Sequence, residues 1–320
     1  MHILVFGLNY NTAPVEIRES FFVSEEKLNT LLKAFKEKNL NESVVISTCN
    51  RTEVYLATEH PHTAINTLKD VISDTLKTEK VWLDKYTYTL LDEDAYGHLF
   101  FVASGLDSMV IGEPQILGQV KDAYRAATFL GTTGFYLNRL FHRAFHVAKR
   151  VRTETRIGYN PVSISSMAVL LSKHIFGELS NKKILVIGAG EMCEIALKHF
   201  KKEGLNEIYI TNRTFEKAKA LSERVFGKPY RFEEITEILT KVDMVLSSTG
   251  ADTYILKKED IVPVMKKRKN RSIFFIDIAV PRDIDPAIND LENIYLYNID
   301  DLKELSMKYL KDRLKESEYA

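Results

Sequence analysis

The sequence predicts an α/β protein with two domains, an α+β domain followed by a doubly wound parallel sheet. Its 320 residues and apolar share of 45% suit a globular protein of about two domains. Short β-branched runs alternate with segments of helical periodicity along the chain. Gly158 and Asn160-Pro161 interrupt this alternation, so we place the domain boundary there. We therefore assign residues 1–157 to a first domain, 158–290 to a second, and 291–320 to a linker and the start of a long helix.

Composition and charge narrow the class of protein. The 44 basic and 44 acidic residues balance, so net charge does not indicate a nucleic-acid partner. No apolar run in the sequence reaches the roughly 18 residues that span a membrane, and the N-terminus opens on strand-like sequence. Cys49 and Cys193 lie in segments with separate roles, which argues against a disulfide framework. We expect a cytoplasmic protein without membrane contact and predict no metal site.

The first domain begins with strands and helices in the order β-α-β-β-α, which is typical of a split, ferredoxin-like unit. Strands are predicted at 3–8, 44–48 and 54–58, and helices at 24–38 and 61–77. Ser24 precedes two glutamates and is the predicted N-cap of its helix. Three further helices are predicted at 93–103, 114–130 and about 135–153.

The last of these helices is amphipathic. Apolar side chains recur at helical spacing from Leu137 to Val151. The other face carries one acidic residue, Glu154, and a series of basic ones: Arg139, Arg143, Lys149, Arg150, Arg152 and Arg156. This face could contact a phosphate backbone, and a simply solvated outer helix face is an equally good interpretation.

Cys49 follows the buried strand at 44–48, at the point where the chain turns through Asn50. A thiol reacts as its thiolate, and Arg51 could lower the pKa of Cys49 and hold an anionic substrate. The alternative is that Cys49 is a small buried hydrophobic residue, which is the common role of a lone cysteine.

The second domain opens with a buried strand at 183–187 that runs into Gly188-Ala189-Gly190-Glu191-Met192-Cys193 and a helix. The glycines permit a tight turn and a close approach of backbone N–H groups to a pyrophosphate, which the helix N-terminus attracts. Cys193 replaces the third glycine, where a small residue suffices for helix–strand packing.

A second strand, predicted at 207–211, ends in Asn212-Arg213-Thr214. An acidic residue would normally bind a ribose 2′-hydroxyl here, whereas an arginine fits a 2′-phosphate. NADP(H) is therefore favoured over NAD(H). Further parallel strands are predicted at 243–248 and 272–280, with Asp277 and Asp283 fixing the loops that follow.

A cysteine nucleophile and an NADP domain together indicate a reaction in which a thioester is formed and then reduced to an aldehyde. Several blocks of the sequence, in this order, resemble the glutamyl-tRNA reductase family: GLNYNTAP at 7–14, STCNRTE at 47–53, SGLDSMVIGEPQILGQ at 104–119, AKRVRTET at 148–155, GAGEM at 188–192, NRT at 212–214 and DIAVPRD at 277–283.

The resemblance implies a ferredoxin-like catalytic domain, a Rossmann-like NADP-binding domain and the NADPH-dependent reduction of glutamyl-tRNA to glutamate-1-semialdehyde in porphyrin biosynthesis. Cys49 corresponds to the nucleophile, and His98 to a histidine that is important for activity. Arg51 would pair with the substrate's side-chain carboxylate and Glu53 with its ammonium group. The remaining glutamate-pocket residues would be Thr48, Asn50, Ser108, Glu113, Pro114, Gln115 and Gln119. The cofactor residues would be Gly188, Ala189, Gly190, Glu191, Met192, Cys193, Asn212, Arg213 and Thr214.

The resemblance also implies glutamate-1-semialdehyde aminotransferase as a partner and a homodimer built by a C-terminal helical domain. The sequence stops at Ala320, so it is either a truncated chain or a naturally short member, and dimerisation by that route is in doubt.

Three alternatives compete with this interpretation. An aldehyde dehydrogenase of acyl phosphates would place its nucleotide domain before the cysteine, which is the reverse of the order here. A shikimate-dehydrogenase-like enzyme shares this domain order and would need no cysteine. A non-catalytic NADP-dependent scaffold would have no use for Cys49 and Arg51 together.

Overall fold

The computed structural model describes residues 1–109, 112–113, 115–155 and 164–304, and the chain divides into two compact units, Met1–Pro161 and Val162–Ala320. The sheet of the first unit has the strand order β2-β3-β1-β4, with every neighbouring pair antiparallel. This order is the ferredoxin-like arrangement that the sequence predicts. The strands are β1 His2–Asn9, β2 Glu42–Ser47, β3 Arg51–Thr58 and β4 Tyr88–Leu91.

Helices cover both faces of this sheet. Thr52 and Val54 of β3 point towards Leu31 and Ile72, whereas Tyr55 of the same strand contacts Phe141 on the other face. This alternation follows from the two-residue period of a β-strand. The helices of this unit are α1 Val15–Ser20, α2 Glu25–Glu37, α3 Pro61–Leu76, α4 Lys80–Tyr86, α5 Glu93–Ser104, α6 Gln115–Phe129 and α7 Phe135–Glu154.

The predicted helix start at Ser24 is confirmed. Ser24 is the N-cap of α2, and its side chain accepts a hydrogen bond from the backbone N–H of Lys27. The apolar face of α2, formed by Leu31, Leu32 and Phe35, is fully buried in the core of the first unit.

The second unit is a six-stranded sheet, parallel throughout, with the order β7-β6-β5-β8-β9-β10. This is the doubly wound order in which the chain changes direction between β5 and β8, the place where such folds bind ligands. Its strands are β5 Lys183–Ile187, β6 Glu207–Thr211, β7 Lys228–Tyr230, β8 Met244–Ser247, β9 Ile273–Asp277 and β10 Ile294–Asn298. Its helices are α8 Ile164–Phe176, α9 Glu191–Lys202, α10 Phe215–Val225, α11 Ile235–Ile238 and α12 Lys258–Lys267, with short 3₁₀ helices at Phe232–Glu234 and Pro286–Asp290.

The predicted strand at 272–280 is too long, because it ends at Asp277. The Asp277 carboxylate accepts hydrogen bonds from the backbone N–H groups of Ala279 and Ile284, so it turns the chain away from the sheet. Residues 299–304 are helical, and the rest of the predicted C-terminal helix lies outside the described residues. None of the described helices is both long and apolar enough to cross a membrane.

Candidate active site

Cys49 lies in the tight turn between β2 and β3. The hydroxyl oxygen of Thr48 accepts hydrogen bonds from the backbone N–H groups of Asn50 and Arg51, and the Thr48 N–H donates to the carbonyl of Arg51. On the other side, the buried Arg18 donates from Nε to the carbonyl of Cys49 over 3.2 Å. These bonds fix the backbone of Cys49 at the end of the hairpin, and the residue remains partly exposed.

A buried network of charged and polar groups lies below this turn. Arg51, Glu53 and Tyr55 alternate along β3 and therefore share one face of the sheet. The Nη1 atom of Arg51 lies 2.7 Å from Glu53 Oε1 and 3.0 Å from Asp107 Oδ2, and its Nη2 donates to the carbonyl of Asp107. Two carboxylates inside the protein thus bind the guanidinium, while its Nε has no hydrogen-bond partner among the residues that the structure describes.

Glu53 is the centre of the network and is fully buried. Its Oε1 accepts from the hydroxyl of Tyr88 at 2.6 Å and lies 2.9 Å from His98 Nε2, and its Oε2 accepts from the hydroxyl of Tyr55 at 2.7 Å. Burial alone would raise the pKa of Glu53, but Arg51, together with His98 and Tyr88, holds that pKa well below its usual range.

Gly7 allows the strands to approach closely at this point. It pairs with Glu53 across β1 and β3, and a Cβ added at Gly7 would lie only 2.4 Å from the carbonyl oxygen of Thr52. Only glycine therefore fits opposite Glu53 in this register.

The electrostatic surroundings of Cys49 differ from the expectation. Burial, followed by the negative charge of Glu113, raises the pKa of the Cys49 thiol to about 12. Arg18 and Arg51 lower this pKa, but they do not outweigh the other two effects. Arg51 therefore lowers the pKa of Cys49, as the sequence predicts, but its effect is smaller than those of burial and Glu113.

The other predicted pocket residues occupy different environments. Ser108 and Glu113 are buried and hydrogen-bonded to each other, and burial raises the pKa of Glu113. Asn50 is buried, and its Oδ1 has no hydrogen-bond partner in the described part of the chain. Gln115 is half-buried in the first turn of α6, and Gln119 is exposed on the same helix. Pro114 lies outside the described residues.

The structure adds residues to the candidate site that the sequence patterns did not indicate. Asp107 and Tyr88 complete the network around Arg51 and Glu53, and Arg18 holds the Cys49 backbone. Tyr55 could have been identified by its two-residue spacing from Glu53 on a strand. Asp107 belongs to the same sequence block as Ser108, but nothing local marks it as a partner of Arg51.

A cleft of about 550 Å³ lies beside the network in the first unit. Asn9, Tyr88, His98 and Asp107 line its polar side, and Phe101 and Leu106 contribute apolar surface. His98 has 14% of its side chain exposed, so its ring is accessible from this cleft while Nε2 stays on Glu53.

The glycine turn of the second unit has a shape that suits a nucleotide. Gly188 has φ of +114°, and a Cβ there would lie 2.2 Å from the carbonyl oxygen of Ser248, so β5 and β8 come close at the switch point. Among the described residues, no heavy atom outside the neighbouring backbone lies within 4 Å of a Cβ added at Gly190, the N-cap of α9. The space over the start of α9 fits a pyrophosphate, which the backbone N–H groups of a helix N-terminus attract.

The other predicted cofactor residues of this turn differ in how far they are exposed. Glu191 is exposed, Met192 is half-buried, and Cys193 is fully buried with its Sγ 3.7 Å from the Ser248 carbonyl. Burial raises the pKa of Cys193 to about 12, and its complete burial at the start of α9 suits the packing role that the sequence predicts. Ala189 lies between the two glycines and is half-buried.

Beyond β6, Asn212 Nδ2 donates to the carbonyl of Thr214 over 3.0 Å. Arg213 is exposed and forms no ion pair with any residue that the structure describes. The guanidinium is thus available at the position where a 2′-phosphate is expected. Asp283 accepts hydrogen bonds from the hydroxyls of Ser247 and Thr249, which confirms that it fixes loops.

The basic face of α7 is partly neutralised. Arg150 forms an ion pair with Glu154 at 2.9 Å, and Arg152 donates to the carbonyl of Glu113 at 3.0 Å. Arg156 lies outside the described residues. Within the described residues, no group of three or more His, Cys, Asp or Glu side chains could hold a metal ion.

The first unit carries a cysteine and a buried Arg–Glu–His network, and a doubly wound nucleotide-binding unit follows it along the chain. Together these features define the class of the protein, an oxidoreductase that uses a nicotinamide cofactor. Comparisons with known proteins specify it further. Residues 6–155 match the family model of the glutamyl-tRNAGlu reductase N-terminal domain, and residues 170–305 match that of shikimate / quinate 5-dehydrogenase.

Full-length similarity is also extensive. The glutamyl-tRNA reductase of Desulfatibacillum aliphaticivorans is 49% identical over 318 residues, which cover 99% of this chain and 73% of the relative. That of Geotalea daltonii is 48% identical and covers 100% and 74%. The solved structure of glutamyl-tRNA reductase from Methanopyrus kandleri is 34% identical, with a TM-score of 0.50, and covers 99% of this chain and 76% of that one. The chain belongs to the glutamyl-tRNA reductase family, whose role lies in tetrapyrrole synthesis.

Proposed function

We propose that this protein reduces glutamyl-tRNA(Glu) to glutamate-1-semialdehyde with NADPH and releases the tRNA, as the first step of five-carbon 5-aminolevulinate synthesis. The observation that carries the proposal is the position of Cys49, which is fixed at the tip of a hairpin directly above the Arg51–Glu53–His98 network. A cysteine with only a packing role needs neither the backbone bond from Arg18 nor charged neighbours of both signs.

In the first half-reaction, the Cys49 sulfur attacks the ester carbonyl carbon of glutamyl-tRNA. A C–S bond forms, the ester C–O bond breaks, and the terminal ribose hydroxyl leaves with a proton. The thiol must first lose its proton, which its pKa of about 12 opposes at neutral pH. Glu113 is the carboxylate whose charge contributes to that pKa, and its own pKa is raised. Transfer of the thiol proton to Glu113 would therefore remove the charge that opposes the thiolate.

In the second half-reaction, the thioester carbon accepts a hydride, the C–S bond breaks, and Cys49 returns as the thiolate while the aldehyde leaves. NADPH supplies the hydride when it is bound. Gly188 and Gly190 would hold its pyrophosphate against the start of α9, with Ala189, Glu191 and Met192 completing the turn.

The substrate's glutamyl group would bind near Arg51 Nε and Asn50 Oδ1, neither of which has a hydrogen-bond partner among the described residues. Both atoms are buried, and a buried polar atom without a partner is uncommon unless a ligand or water completes it. Glutamate-1-semialdehyde aminotransferase is the proposed partner, because it would consume the aldehyde product. Formation of a homodimer through the family's C-terminal helical domain is a separate proposal.

The test is incubation with glutamyl-tRNA and NADPH, with aldehyde formation as the readout and Cys49→Ser as the matched variant. We expect aldehyde from the parent and none from the variant. A parent protein that binds NADPH but leaves glutamyl-tRNA intact would contradict the proposal. It would favour the non-catalytic scaffold.

A shikimate-dehydrogenase-like activity is the other candidate, and the match of residues 170–305 to that family model favours it. That match is confined to the nucleotide-binding part of the chain, whereas residues 6–155 match the reductase. Oxidation of shikimate with NADP⁺ that survives in Cys49→Ser would identify this activity.

A further inference from the structure

A groove of about 730 Å³ between α5 and α7 of the first unit combines exposed aromatic rings with positive charge. We call it the α5/α7 groove, and its lining includes Tyr96, Phe100, Phe135, Tyr136, Arg139 and Arg143. Phe135 is 68% exposed and Tyr136 40% exposed, which is unusual for two adjacent large side chains. Their rings lie edge to face, with centroids 5.3 Å apart.

The charge of the groove has one sign. Arg139 and Arg143 are exposed and form no ion pair with any residue in the described part of the chain. His142 and His146 also line the groove, whereas no acidic side chain is found among its described lining residues. Both arginines stand one helical turn apart on α7, so a chain with regularly spaced anionic groups could contact both.

Exposed aromatic faces next to unpaired arginines are the combination that binds single-stranded nucleic acid. Bases stack on the rings irrespective of sequence, and the cations contact the phosphates. An acidic peptide would use the arginines but would not need two exposed rings. A purely apolar partner would leave two arginines buried without counter-charges. Charge complementarity therefore favours RNA over a protein partner.

The groove is remote from the cysteine. Ile3, which lines the groove, and Asn9, which pairs with Arg51, lie at opposite ends of β1, about 20 Å apart at the rise of a β-strand. A ligand that reaches both places must be long. An RNA whose 3′ end is at Cys49 could extend to the groove, whereas an aminoacylated nucleoside could not.

We propose that the α5/α7 groove binds unpaired nucleotides of the tRNA substrate, with bases on Phe135 and Tyr136 and phosphates on Arg139 and Arg143. This inference rests on the proposed function, since it takes glutamyl-tRNA as the substrate. It assigns to the groove a part of the tRNA other than the aminoacylated terminal nucleotide.

The experiment compares the parent, Arg139→Glu/Arg143→Glu, Tyr136→Ala and the control Lys33→Glu/Lys36→Glu, whose lysines are exposed on α2, on the other face of the sheet. Affinity for glutamyl-tRNA is measured over a salt series, and turnover is measured with glutamyl-tRNA and with the glutamyl ester of adenosine. The unfolding curve of each variant, followed by the fluorescence of Trp82, verifies that it folds.

Loss of two phosphate contacts should reduce the salt slope of log affinity by about 1.4, since each contact to a single strand contributes about 0.7. Tyr136→Ala should lower affinity at least about fivefold and leave the salt slope unchanged, because stacking is not ionic. Turnover of the adenosine ester should be the same in all four proteins.

Groove variants that bind glutamyl-tRNA like the parent, or that lose no more than the lysine control, would overturn the inference while leaving the proposed function intact. Altered sedimentation of the groove variants with unchanged tRNA affinity would overturn it too and assign the groove to a protein contact. A parent that binds no tRNA would refute both proposals.

Discussion

Replacement of Glu53 by glutamine tests how much the buried network contributes to stability. Glu53→Gln removes one of the two carboxylates that face Arg51, while the guanidinium stays 1% exposed. Removing one partner of a buried ion pair typically costs about 3–5 kcal/mol, because the other charge is left uncompensated. Asp107 remains 3.0 Å from Arg51, so we expect the lower end, about 3 kcal/mol. The amide must also turn an N–H group towards donors that the carboxylate accepted from, Tyr55 or Tyr88 and His98.

The assay is urea unfolding followed by Trp82. This is the sole tryptophan of the chain, and it packs against the core of the first unit, so its fluorescence reports on that unit. A loss of about 3 kcal/mol corresponds to a midpoint shift of about 1–2 M urea. The pKa of Glu53 is lowered in the folded state, so its stabilisation is present above the usual glutamate pKa of about 4.3 and is lost as pH falls. The difference between parent and variant should therefore shrink in acid.

The matched control is Glu154→Gln, because Glu154 and its partner Arg150 are both exposed. Such a surface pair contributes little, so its loss should leave the midpoint almost unchanged. Equal midpoints for Glu53→Gln and Glu154→Gln would refute the claim that the network is a strongly coupled, desolvated unit.

Three further predictions concern the second unit. Arg213→Gln should weaken NADPH binding by about one to two decades and leave NADH binding unchanged, because it removes a charge-assisted contact to the 2′-phosphate; equal affinities of the parent for both cofactors in a fluorescence titration would remove this assignment. Gly190→Leu should abolish aldehyde formation, because the side chain would fill the space proposed for the pyrophosphate, but spare slow deacylation of glutamyl-tRNA through the Cys49 thioester. Within the described residues that space is open, so we expect the variant to fold, and equal loss of both activities would count against two separable half-reactions. Burial, then the neighbouring Asp283, raises the pKa of Asp277 to about 8, so the folded state holds a proton that the unfolded state loses above about pH 4. Stability should therefore fall as pH rises from about 4 to about 8, and calorimetry of Asp277→Asn should show a flatter pH dependence than the parent.

Local sequence patterns predict a helix or strand correctly where the element is long or where its start, stop and apolar signals are adjacent. The helix at Glu25–Glu37 has its cap, its acidic first turn and its apolar stripe within one segment. The strand Lys183–Ile187 and the glycine turn after it are equally explicit. Two of the edge strands were missed for a physical reason. Tyr88–Leu91 has four residues, and Lys228–Tyr230 has three with a proline, so neither shows a usable periodicity.

The candidate site was predictable only in part, because its network joins residues that are distant in sequence. The spacing of Arg51 and Glu53 is visible on one strand, but the partnership of Arg51 with Asp107 depends on how the chain folds back after α5. Sequence proximity favoured Arg51 as a partner of the substrate and as an activator of Cys49. In the structure, its charge is largely compensated by two internal carboxylates.

The two cysteines show why the surroundings of a thiol matter more than its pKa alone. Burial raises both pKa values to about 12, so this number does not distinguish a nucleophile from a packing residue. The charged neighbour of Cys193 is Asp283, whose carboxylate is bound to Ser247 and Thr249 and serves the loop. Cys49 instead has Arg18, Arg51 and Glu113 as charged neighbours, so protonation of Glu113 would remove the charge that raises its pKa and leave the two arginines, which lower it. Only Cys49 therefore has surroundings in which a ligand could convert an inert thiol into a thiolate.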